Sequence, residues 1–298
     1  MGSTGRSLVG LPERSKMKSQ NSIATALTIA GSDPTGGAGI QTDLKTMTKL
    51  GVYAAAAITC ITVQNSHGVS RIEPLAPDLV REQVQAVLAD HRVTHIKIGM
   101  VGSPALARCL GELLRDFTGQ VIYDPVLAAS TGQELARQDT LDAVMHHLLG
   151  QVTALTPNLP ELADMAAAMG AQEAGQLTDR TAIEQAAQIL LDRYPNLECV
   201  LVKGGHGQGA LLTDYCFHSS GKSQHMEHAS IKTQNSHGTG CTTASALTAL
   251  HMQTGNYEQA FVQTIAFVQT LLEKSAGADI IRNPDGRGPL LHTMFNEQ

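Results

Sequence analysis

The stretch ATALTIAGSDPTGGAGIQTDLKTMTKLG, residues 24–51, decides the fold, because a strand, a glycine-rich turn and a helix follow one another directly in it. The apolar run at residues 24–30 predicts a buried strand. Apolar residues then recur at helical spacing from Ile40 to Leu50, and Gly51 provides a helix-ending residue. The stretch therefore predicts the first strand–helix unit of an α/β protein.

The same alternation of strand and helix patterns continues along the chain. Further strands are predicted at residues 52–63, 95–100, 120–126, 152–158 and 198–205. Further helices are predicted at residues 77–90, 103–117, 140–150, 159–170, 181–194 and 242–255. Several of the strands are apolar on both faces, which is typical of a mostly parallel sheet covered by helices on both sides. The sequence thus predicts an α/β fold, a three-layer αβα sandwich.

Composition excludes several classes of function. The chain has 298 residues, a net charge of -6, 42% hydrophobic residues and only 3% aromatic residues. Without a run of 18 apolar residues or a dense basic cluster, neither a membrane nor a nucleic acid is expected as a partner. The polar, Gly- and Ser-rich residues 1–22 are expected to be a disordered or tag-like tail, and residues 23–298 to form one domain.

The cysteines indicate a reducing compartment. The chain has five, scattered and without a CxxC pair: Cys60, Cys109, Cys199, Cys216 and Cys241. This pattern predicts neither a disulfide framework nor a zinc knuckle, so a cytoplasmic location is expected. Three histidines of the segment 206–234, His218, His225 and His228, have spacings that match no defined metal site. We expect this segment to form a hairpin and a solvated flap.

In an open α/β sheet, ligands bind beyond the carboxyl ends of the strands. Six predicted strand-to-helix turns carry glycine, proline or small polar residues: AGSDPTGGAG, TVQNSHG, KIGMVGS, YDPV, TPNLPE and VKGGHG. Each turn alone has ordinary turn chemistry. Six on one predicted edge favour an active-site rim, and this rim lacks both the GxGxxG and the GxxxxGK[ST] phosphate motifs.

The segment NSHGTGC, residues 235–241, precedes a predicted helix and offers another way to bind phosphate. The first N–H groups of a helix have no acceptor within the helix, and the helix dipole is positive there. Gly238 and Gly240 would let the backbone approach a ligand, so the segment predicts an anion cradle. The same field is expected to lower the pKa of Cys241. The alternative is an ordinary loop with Cys241 as a small buried hydrophobic residue.

Together these segments resemble the ribokinase-like superfamily and, within it, the hydroxymethylpyrimidine/phosphomethylpyrimidine kinases of thiamin biosynthesis. The resemblance rests on TIAGSDPTGGAGIQTDLKT, ITVQNSHGV, IKIGMVGS, YDPV, LTPNLPE, LVKGGH and NSHGTGC, in this order. It implies a ribokinase-like fold and a homodimer. The implied reaction is transfer of phosphate from ATP, with Mg²⁺, to 4-amino-5-hydroxymethyl-2-methylpyrimidine and then to its monophosphate.

The resemblance also assigns residues to the acceptor half of the site. Gln64 would bind the aminopyrimidine edge, since an amide offers a donor and an acceptor together. Gly31, Met100 and Val126 would line the same pocket. Asp43 occupies a position that the family keeps acidic, and is expected near the substrate or, alternatively, on the surface of the first helix.

The other half of the cleft would hold the nucleotide. Lys203 and Gly205 would approach the ATP phosphates, together with Asn158. Glu161 and Asp124 would organise the metal, as oxygen ligands suit Mg²⁺. The spacing of Asn158 and Glu161 also fits a helix capping box, and both interpretations stay open.

For the chemical step, the resemblance implies that the amides of Gly238, Thr239, Gly240 and Cys241 stabilise the transferring phosphoryl group. Cys241 would accept the hydroxyl proton, where most sugar kinases of the superfamily have aspartate. A pyridoxal or pyridoxine kinase of the same branch, a sugar kinase, and a non-catalytic pyrimidine-binding protein are the alternatives. The first would differ around Gln64 and Met100, and the last would not turn over ATP.

Overall fold

The computed structural model describes residues 23–127, 138–170, 177, 179–205 and 210–293. Within these ranges one nine-stranded sheet runs through the molecule, in the order β3-β2-β1-β4-β5-β6-β7-β8-β9. The strands are β1 Thr25–Ser32, β2 Tyr53–Asn65, β3 Gly68–Pro74, β4 Val93–Ile98, β5 Gln120–Tyr123, β6 Ala154–Leu155, β7 Cys199–Val202, β8 Leu211–His218 and β9 Ser223–Ala229.

The centre of the sheet is parallel and its margins are antiparallel. Strands β2, β1, β4, β5, β6 and β7 pair in parallel. Strand β3 returns antiparallel on β2, and β8 and β9 form an antiparallel hairpin beside β7. The predicted mostly parallel sheet and the hairpin within residues 206–234 are therefore confirmed.

Helices cover both faces of this sheet. They are α1 Gly39–Lys49, α2 Pro77–Asp90, α3 Pro104–Leu113, α4 Gln138–Ala143, α5 Leu159–Ala167, α6 Arg180–Arg193, α7 Thr239–Thr254 and α8 Tyr257–Ser275. Alternate strand residues pack on opposite sides: Val200 and Val202 join the core under α2 to α6, whereas Leu201 packs against α7 and α8. The three-layer αβα architecture predicted from the sequence is confirmed.

One helix differs from the sequence prediction. The helix expected at residues 140–150 is α-helical only through Ala143, and a π-helical turn, Val144–Leu148, follows it. This π-helical turn packs closely on α3, since a Cβ atom at Gly111 would lie 2.0 Å from the His147 carbonyl oxygen. The expected tail, residues 1–22, lies outside the described residues. None of the described helices is long and apolar enough to cross a bilayer.

Candidate active site

A cavity of about 870 Å³ opens at the carboxyl ends of the parallel strands. Its wall combines the turns after β1, β4, β5, β6 and β7 with the N-terminus of α7. The predicted site residues that line it are Gly31, Gln64, Met100, Asp124, Val126, Asn158, Glu161, Lys203, Gly205, Gly238, Thr239, Gly240 and Cys241. The fold thus brings to one cleft residues that are up to 210 positions apart in the sequence.

Helix α7 begins at the floor of this cleft on a residue that has to be glycine. Gly238 is the N-cap, with φ 81°, in the left-handed region. A Cβ atom there would also lie 1.8 Å from the Gly37 carbonyl oxygen, so the two glycine-rich loops touch backbone to backbone. The first turn of α7 carries no acidic side chain. The Thr239 N–H donates to the Ser236 carbonyl oxygen at 3.3 Å. No acidic side chain of the first turn competes with an external anion for the positive end of the helix.

Cys241 lies in the first turn of α7, at the junction with the loop after β1. Its thiol hydrogen-bonds to the backbone of Gly39, and the ammonium of Lys97 lies close enough to favour the thiolate. Burial nevertheless dominates and raises the Cys241 pKa to about 11. The expected lowering of this pKa is therefore wrong, because desolvation, with Asp43 and Asp124 adding to it, outweighs Lys97 and the Gly39 hydrogen bond.

Asp43 does not line the cavity, in contrast to the expected place beside the substrate. It is fully buried within α1, where its carboxylate accepts hydrogen bonds from Lys97 Nζ at 2.9 Å and Ser245 Oγ at 2.6 Å. Desolvation alone would lower the Lys97 pKa, but Asp43, Cys241 and Asp124 together outweigh it and raise that pKa. Asp43 thus reaches the cleft only indirectly, by holding the Lys97 side chain that does line it.

The opposite wall holds two carboxylates around one ammonium group. Lys203 Nζ lies 2.7 Å from Asp124 Oδ1 and 3.8 Å from Glu161 Oε2, and Thr156 Oγ1 donates to Asp124 Oδ1 at 3.0 Å. Burial raises the Glu161 pKa to about 7, with Lys203 acting against it and Asp124 adding to it. A second cation at this wall would relieve the repulsion between the carboxylates, so the donor set fits a hard metal ion.

Helix α5 begins at the same wall with a complete capping box. Asn158 Oδ1 accepts from the Glu161 N–H, and Glu161 Oε2 accepts from the Asn158 N–H, both at 2.8 Å. The capping interpretation of this pair is therefore confirmed. Since both side chains also line the cleft, a role with nucleotide or metal stays a prediction.

The glycine-rich loop after β1 is organised around Asp33. The Asp33 carboxylate accepts from the N–H groups of Thr35 and Ala38, each at 2.9 Å, and from His237 Nε2 at 2.8 Å. Burial alone would raise the Asp33 pKa, but the His237 and Thr35 hydrogen bonds outweigh it and lower that pKa. This carboxylate stays ionised and locks the loop to the segment before α7.

Gln64 projects into the cleft from the end of β2. Its Nε2 lies 3.1 Å from His237 Nε2, and its Oε1 lies 3.2 Å from Thr62 Oγ1. Gln64 Oε1 is held by Thr62 Oγ1, whereas His237 Nε2 donates to Asp33 and therefore cannot also accept from Gln64 Nε2. Below it, a Cβ atom at Gly31 would lie 2.8 Å from Cys60 Sγ, so Gly31 is required for close packing of β1 and β2.

The antiparallel hairpin forms another side of the cavity. Asp214 and His228 line it and hydrogen-bond to each other at 2.9 Å, and the Gly204 N–H donates to Asp214 at 2.7 Å. His218, expected in a solvated flap, is instead buried, because it lies on the inward face of β8. His206 falls outside the described residues.

No role is assigned to Lys97, Asp33 or His237 from the sequence. Lys97 sits in HIKIGM, an isolated charge within a strand that is otherwise apolar on both faces, and that was an available signal. Asp33 lies in the quoted turn GSDPTGG, where it was attributed to turn chemistry. Its contact with His237 spans 204 residues and has no local signature.

The model of the phosphomethylpyrimidine kinase family matches residues 33–284. The chain belongs to this family. It is 36% identical to the hydroxymethylpyrimidine/phosphomethylpyrimidine kinase of Salmonella typhimurium, over 90% of this chain and 96% of that one. The Bacillus subtilis kinase of the same name is also 36% identical, over 92% and 96%. The resemblance inferred from the sequence is thereby confirmed, and the chain is a phosphotransferase.

Solved structures of kinases share the fold of this family member. The Clostridium difficile phosphomethylpyrimidine kinase matches with a TM-score of 0.70 and 30% identity, over 83% of this chain and 98% of that one. The Staphylococcus aureus pyridoxal kinase in complex with ADP matches with a TM-score of 0.78 and 27% identity, over 91% and 94%. The predicted ribokinase-like fold is confirmed, and an ADP complex among these structures supports use of ATP.

Proposed function

We propose that the chain phosphorylates 4-amino-5-hydroxymethyl-2-methylpyrimidine with ATP and then phosphorylates the monophosphate to the diphosphate. The observation that carries the proposal is the open N-terminus of α7 at the floor of the cleft. On one wall above it lies the amide of Gln64, held at Oε1 by Thr62, and on the other lie Asp124, Glu161 and Lys203. An acceptor site and a nucleotide site therefore meet at an anion cradle.

The acceptor wall suits an aminopyrimidine. Such a ring presents a nitrogen acceptor beside an exocyclic amine donor, and one amide group can pair with both. The hydrogen bond from Thr62 restricts how the Gln64 amide can turn. Gly31, Met100 and Val126 supply the small and apolar surface against which a ring can pack. Asp33 contributes by holding His237.

The nucleotide wall suits the phosphates of ATP with Mg²⁺. Asp124 and Glu161 would hold the ion, which would supply charge neutralisation between neighbouring phosphates. Desolvation alone would lower the Lys203 pKa, but the charges of Asp124, Glu161 and Cys241 together raise it, so the ammonium stays charged toward phosphate. A Cβ atom at Gly240 would lie 3.4 Å from Lys203 Nζ and 3.7 Å from Asp124 Oδ2. The N-terminus of α7 and the nucleotide wall therefore border the same small part of the cleft, and Gly205 and Asn158 lie at its margin.

In the proposed step, the amides of Gly238 to Cys241 hold the equatorial oxygens of the moving phosphoryl group. The acceptor hydroxyl loses its proton late, toward Cys241. Since the Cys241 thiol has a raised pKa, only a small fraction is thiolate at neutral pH. Lys97, held by Asp43, offsets part of the cost of that thiolate. The second acceptor is a phosphate that is already ionised, so this step depends less on Cys241.

Pyridoxal phosphorylation is the second candidate, because the Staphylococcus aureus pyridoxal kinase has the same fold at a TM-score of 0.78. Pyridoxal has no exocyclic amine beside its ring nitrogen, so it would pair with only part of the Gln64 amide. We therefore expect the pyrimidine to be preferred. A missing hydrogen bond in a buried site reduces affinity by about tenfold or more.

The test is an ADP-release assay with hydroxymethylpyrimidine, its monophosphate and pyridoxal measured in parallel. The proposal expects turnover of both pyrimidines, with kcat/KM for pyridoxal lower by at least about tenfold. Gln64→Leu should remove most of this preference, and Gln234→Leu, at an exposed residue outside the cavity, serves as control. Preference for pyridoxal, or turnover of none of the three, would overturn it.

A homodimer and a cytoplasmic location complete the proposal. Near its end, β2 exposes two large apolar side chains, Ile61 (50% exposed) and Val63 (54% exposed). This apolar pair supports burial against a second copy. A reducing compartment is supported by the five cysteines, which are all free thiols.

A further inference from the structure

Three potential metal ligands meet in the core at the edge of the sheet away from the cleft. Cys199 begins β7, whereas the cleft residue Lys203 follows the other end of that strand. Cys216 and His218 lie on β8. All three are buried, and none of them lines the cavity of the candidate active site. The kinase chemistry makes no use of this group.

The antiparallel pairing of β7 and β8 creates the group. Cys199 lies opposite His218 in the ladder, and Cys216, two residues earlier on β8, points to the same face of the sheet. The two Sγ atoms are 3.2 Å apart, and Cys216 Sγ lies 3.3 Å from His218 Nε2. All three donor atoms lie within 4.8 Å of one another.

These spacings fit a metal ion better than a disulfide bond. Zinc binds sulfur at about 2.3 Å and imidazole nitrogen at about 2.0 Å, so two sulfur ligands of one ion lie about 3.8 Å apart. The three atoms here need shifts of less than about 1 Å to reach that geometry. Cys199 and Cys216 are diagonal neighbours, whose Cα atoms in a ladder lie about 7–8 Å apart, beyond the usual disulfide range.

The apolar surroundings of the three ligands favour an ion whose charge the ligands neutralise. The two cysteines belong to an apolar core cluster that includes Leu247, Tyr257 and Phe261. A net charge is costly in such a place. Two thiolates and a neutral imidazole cancel the charge of a divalent ion, whereas a cuprous ion would leave one negative charge. Soft sulfur ligands with one imidazole and a divalent ion together indicate zinc.

We propose that Cys199, Cys216 and His218 bind one structural Zn²⁺ ion that ties the β8–β9 hairpin to β7. Two S–H bonds break, two Zn–S bonds and one Zn–N bond form, and two protons pass to the solvent. Gln224 lies opposite Cys216 on β9, and its side chain hydrogen-bonds to that sulfur. Its amide oxygen or a water completes the tetrahedron. Because the same hairpin carries Asp214 and His228 to the cleft, the ion would stabilise one wall of the active site.

The test is titration of the full-length, reduced protein with Zn²⁺ and, in a parallel arm, with Cu⁺. We expect one tightly held Zn²⁺ per chain, release of two protons per ion, and a higher Tm than in chelator. With Co²⁺ as probe, thiolate-to-metal charge-transfer absorption should appear. Cys216→Ser should weaken Zn²⁺ binding by more than about tenfold and remove that absorption. Cys109→Ser, a buried cysteine on the other face of the sheet, should change neither.

A loss of binding in Cys216→Ser counts only if that variant folds, so its circular dichroism is compared with the metal-free wild type. His218→Gln provides a second variant, at the least deeply buried of the three ligands. Equal Zn²⁺ binding by wild type and both variants would place the ion elsewhere and overturn the proposal. So would tight binding of Cu⁺ without Zn²⁺, or a Cys199–Cys216 disulfide in protein purified without reductant.

Discussion

Helices α5 and α7 both begin at the cleft, but only α5 caps its N-terminus with its own side chains. Asn158 and Glu161 satisfy each other's backbone N–H groups there. The N-cap of α7 is Gly238, which has no side chain, and the first turn carries no acid. The positive end of α5 therefore carries a carboxylate from the same helix, whereas the positive end of α7 stays open for a ligand.

This difference separates two functions that the same kind of element can serve. The carboxylate at α5 faces Lys203 and, beyond it, Asp124, so this wall gathers negative charge and attracts a cation. The open end of α7 attracts an anion. A nucleotide with its metal carries both signs, and the two helix ends would hold it from opposite sides.

The largest effect is expected from closing the α7 end with a side chain. Gly238→Ala introduces both a left-handed alanine and a Cβ atom 1.8 Å from the Gly37 carbonyl oxygen. The loop must move, and its amides leave their position. We expect kcat/KM to fall by about 100- to 1000-fold, the range for loss of an oxyanion donor. Steady-state kinetics of both phosphorylation steps measure it.

Gly255→Ala is the matched control, since Gly255 ends the same helix with φ 62° and has open space around its Cβ position. It should cost about 1–2 kcal/mol of stability through its backbone strain and leave kcat/KM nearly unchanged. If Gly238→Ala behaved like this control, the α7 end would not be the anion cradle.

Replacing Cys241 tests whether the N-terminus of α7 contributes a proton acceptor in addition to its backbone amides. We expect Cys241→Ala to slow the first phosphorylation by about 100-fold, the low end for a general base, and the second by much less. Because burial raises the thiol pKa to about 11, the wild-type rate of the first step should rise with pH between about 7 and 10. Rate–pH profiles of both steps are the measurement.

In Cys241→Ala that pH dependence should disappear from the first step. Cys60→Ala, at a buried thiol whose pKa burial also raises, serves as the control for general effects of losing a cysteine near the cleft. Equal losses in both steps would contradict proton acceptance and leave Cys241 as a residue that only shapes the cradle.

Much of this comparison was accessible from the sequence. The glycine N-cap and the capping box could be predicted from the segments NSHGTGC and TPNLPE, because each feature involves residues only a few positions apart. The alternation of strands and helices then places both segments at one edge of the sheet. The location of the cleft followed from periodicity, and the two halves of its wall followed from the resemblance.

What escaped prediction depends on long-range packing. The direction of the Cys241 pKa depends on how much protein surrounds the thiol, which no local pattern shows. Asp43 is buried because Lys97 from β4 and Ser245 from α7 converge on it. Cys199 and Cys216 approach only through the register of an antiparallel pair. In each of these cases, the deciding contacts come from elements that lie far apart in the sequence.

A smaller effect, about tenfold, is expected from removing the charge at the α5 end. Glu161→Gln keeps the capping geometry, since glutamine also completes a capping box, but it removes a carboxylate from the cation wall. We expect the Mg²⁺ concentration for half-maximal activity to rise about tenfold, roughly 1.4 kcal/mol. Glu258→Gln, at an exposed carboxylate on α8, is the control.

The raised Glu161 pKa also predicts how the stabilisation of the protein by Mg²⁺ depends on pH. Its pKa in the folded protein is about 7, above the ordinary value of 4.5, so the folded state binds more protons between these values. The contribution of this group to stability is therefore present below pH 4.5 and is lost as the pH rises through about 7. Mg²⁺ should restore Tm more at pH 8 than at pH 6, and Glu161→Gln should abolish that difference.

The smallest effect separates the two interpretations of Asn158, a cap and a nucleotide contact. Asn158→Ala should cost about 1 kcal/mol of stability, as loss of an N-cap does. Asp179→Ala removes the equivalent cap of α6, which lies outside the cavity, and should cost a similar amount. Thermal unfolding measures both. If Asn158 also binds nucleotide, only Asn158→Ala raises the KM for ATP, and equal KM values would leave it a cap alone.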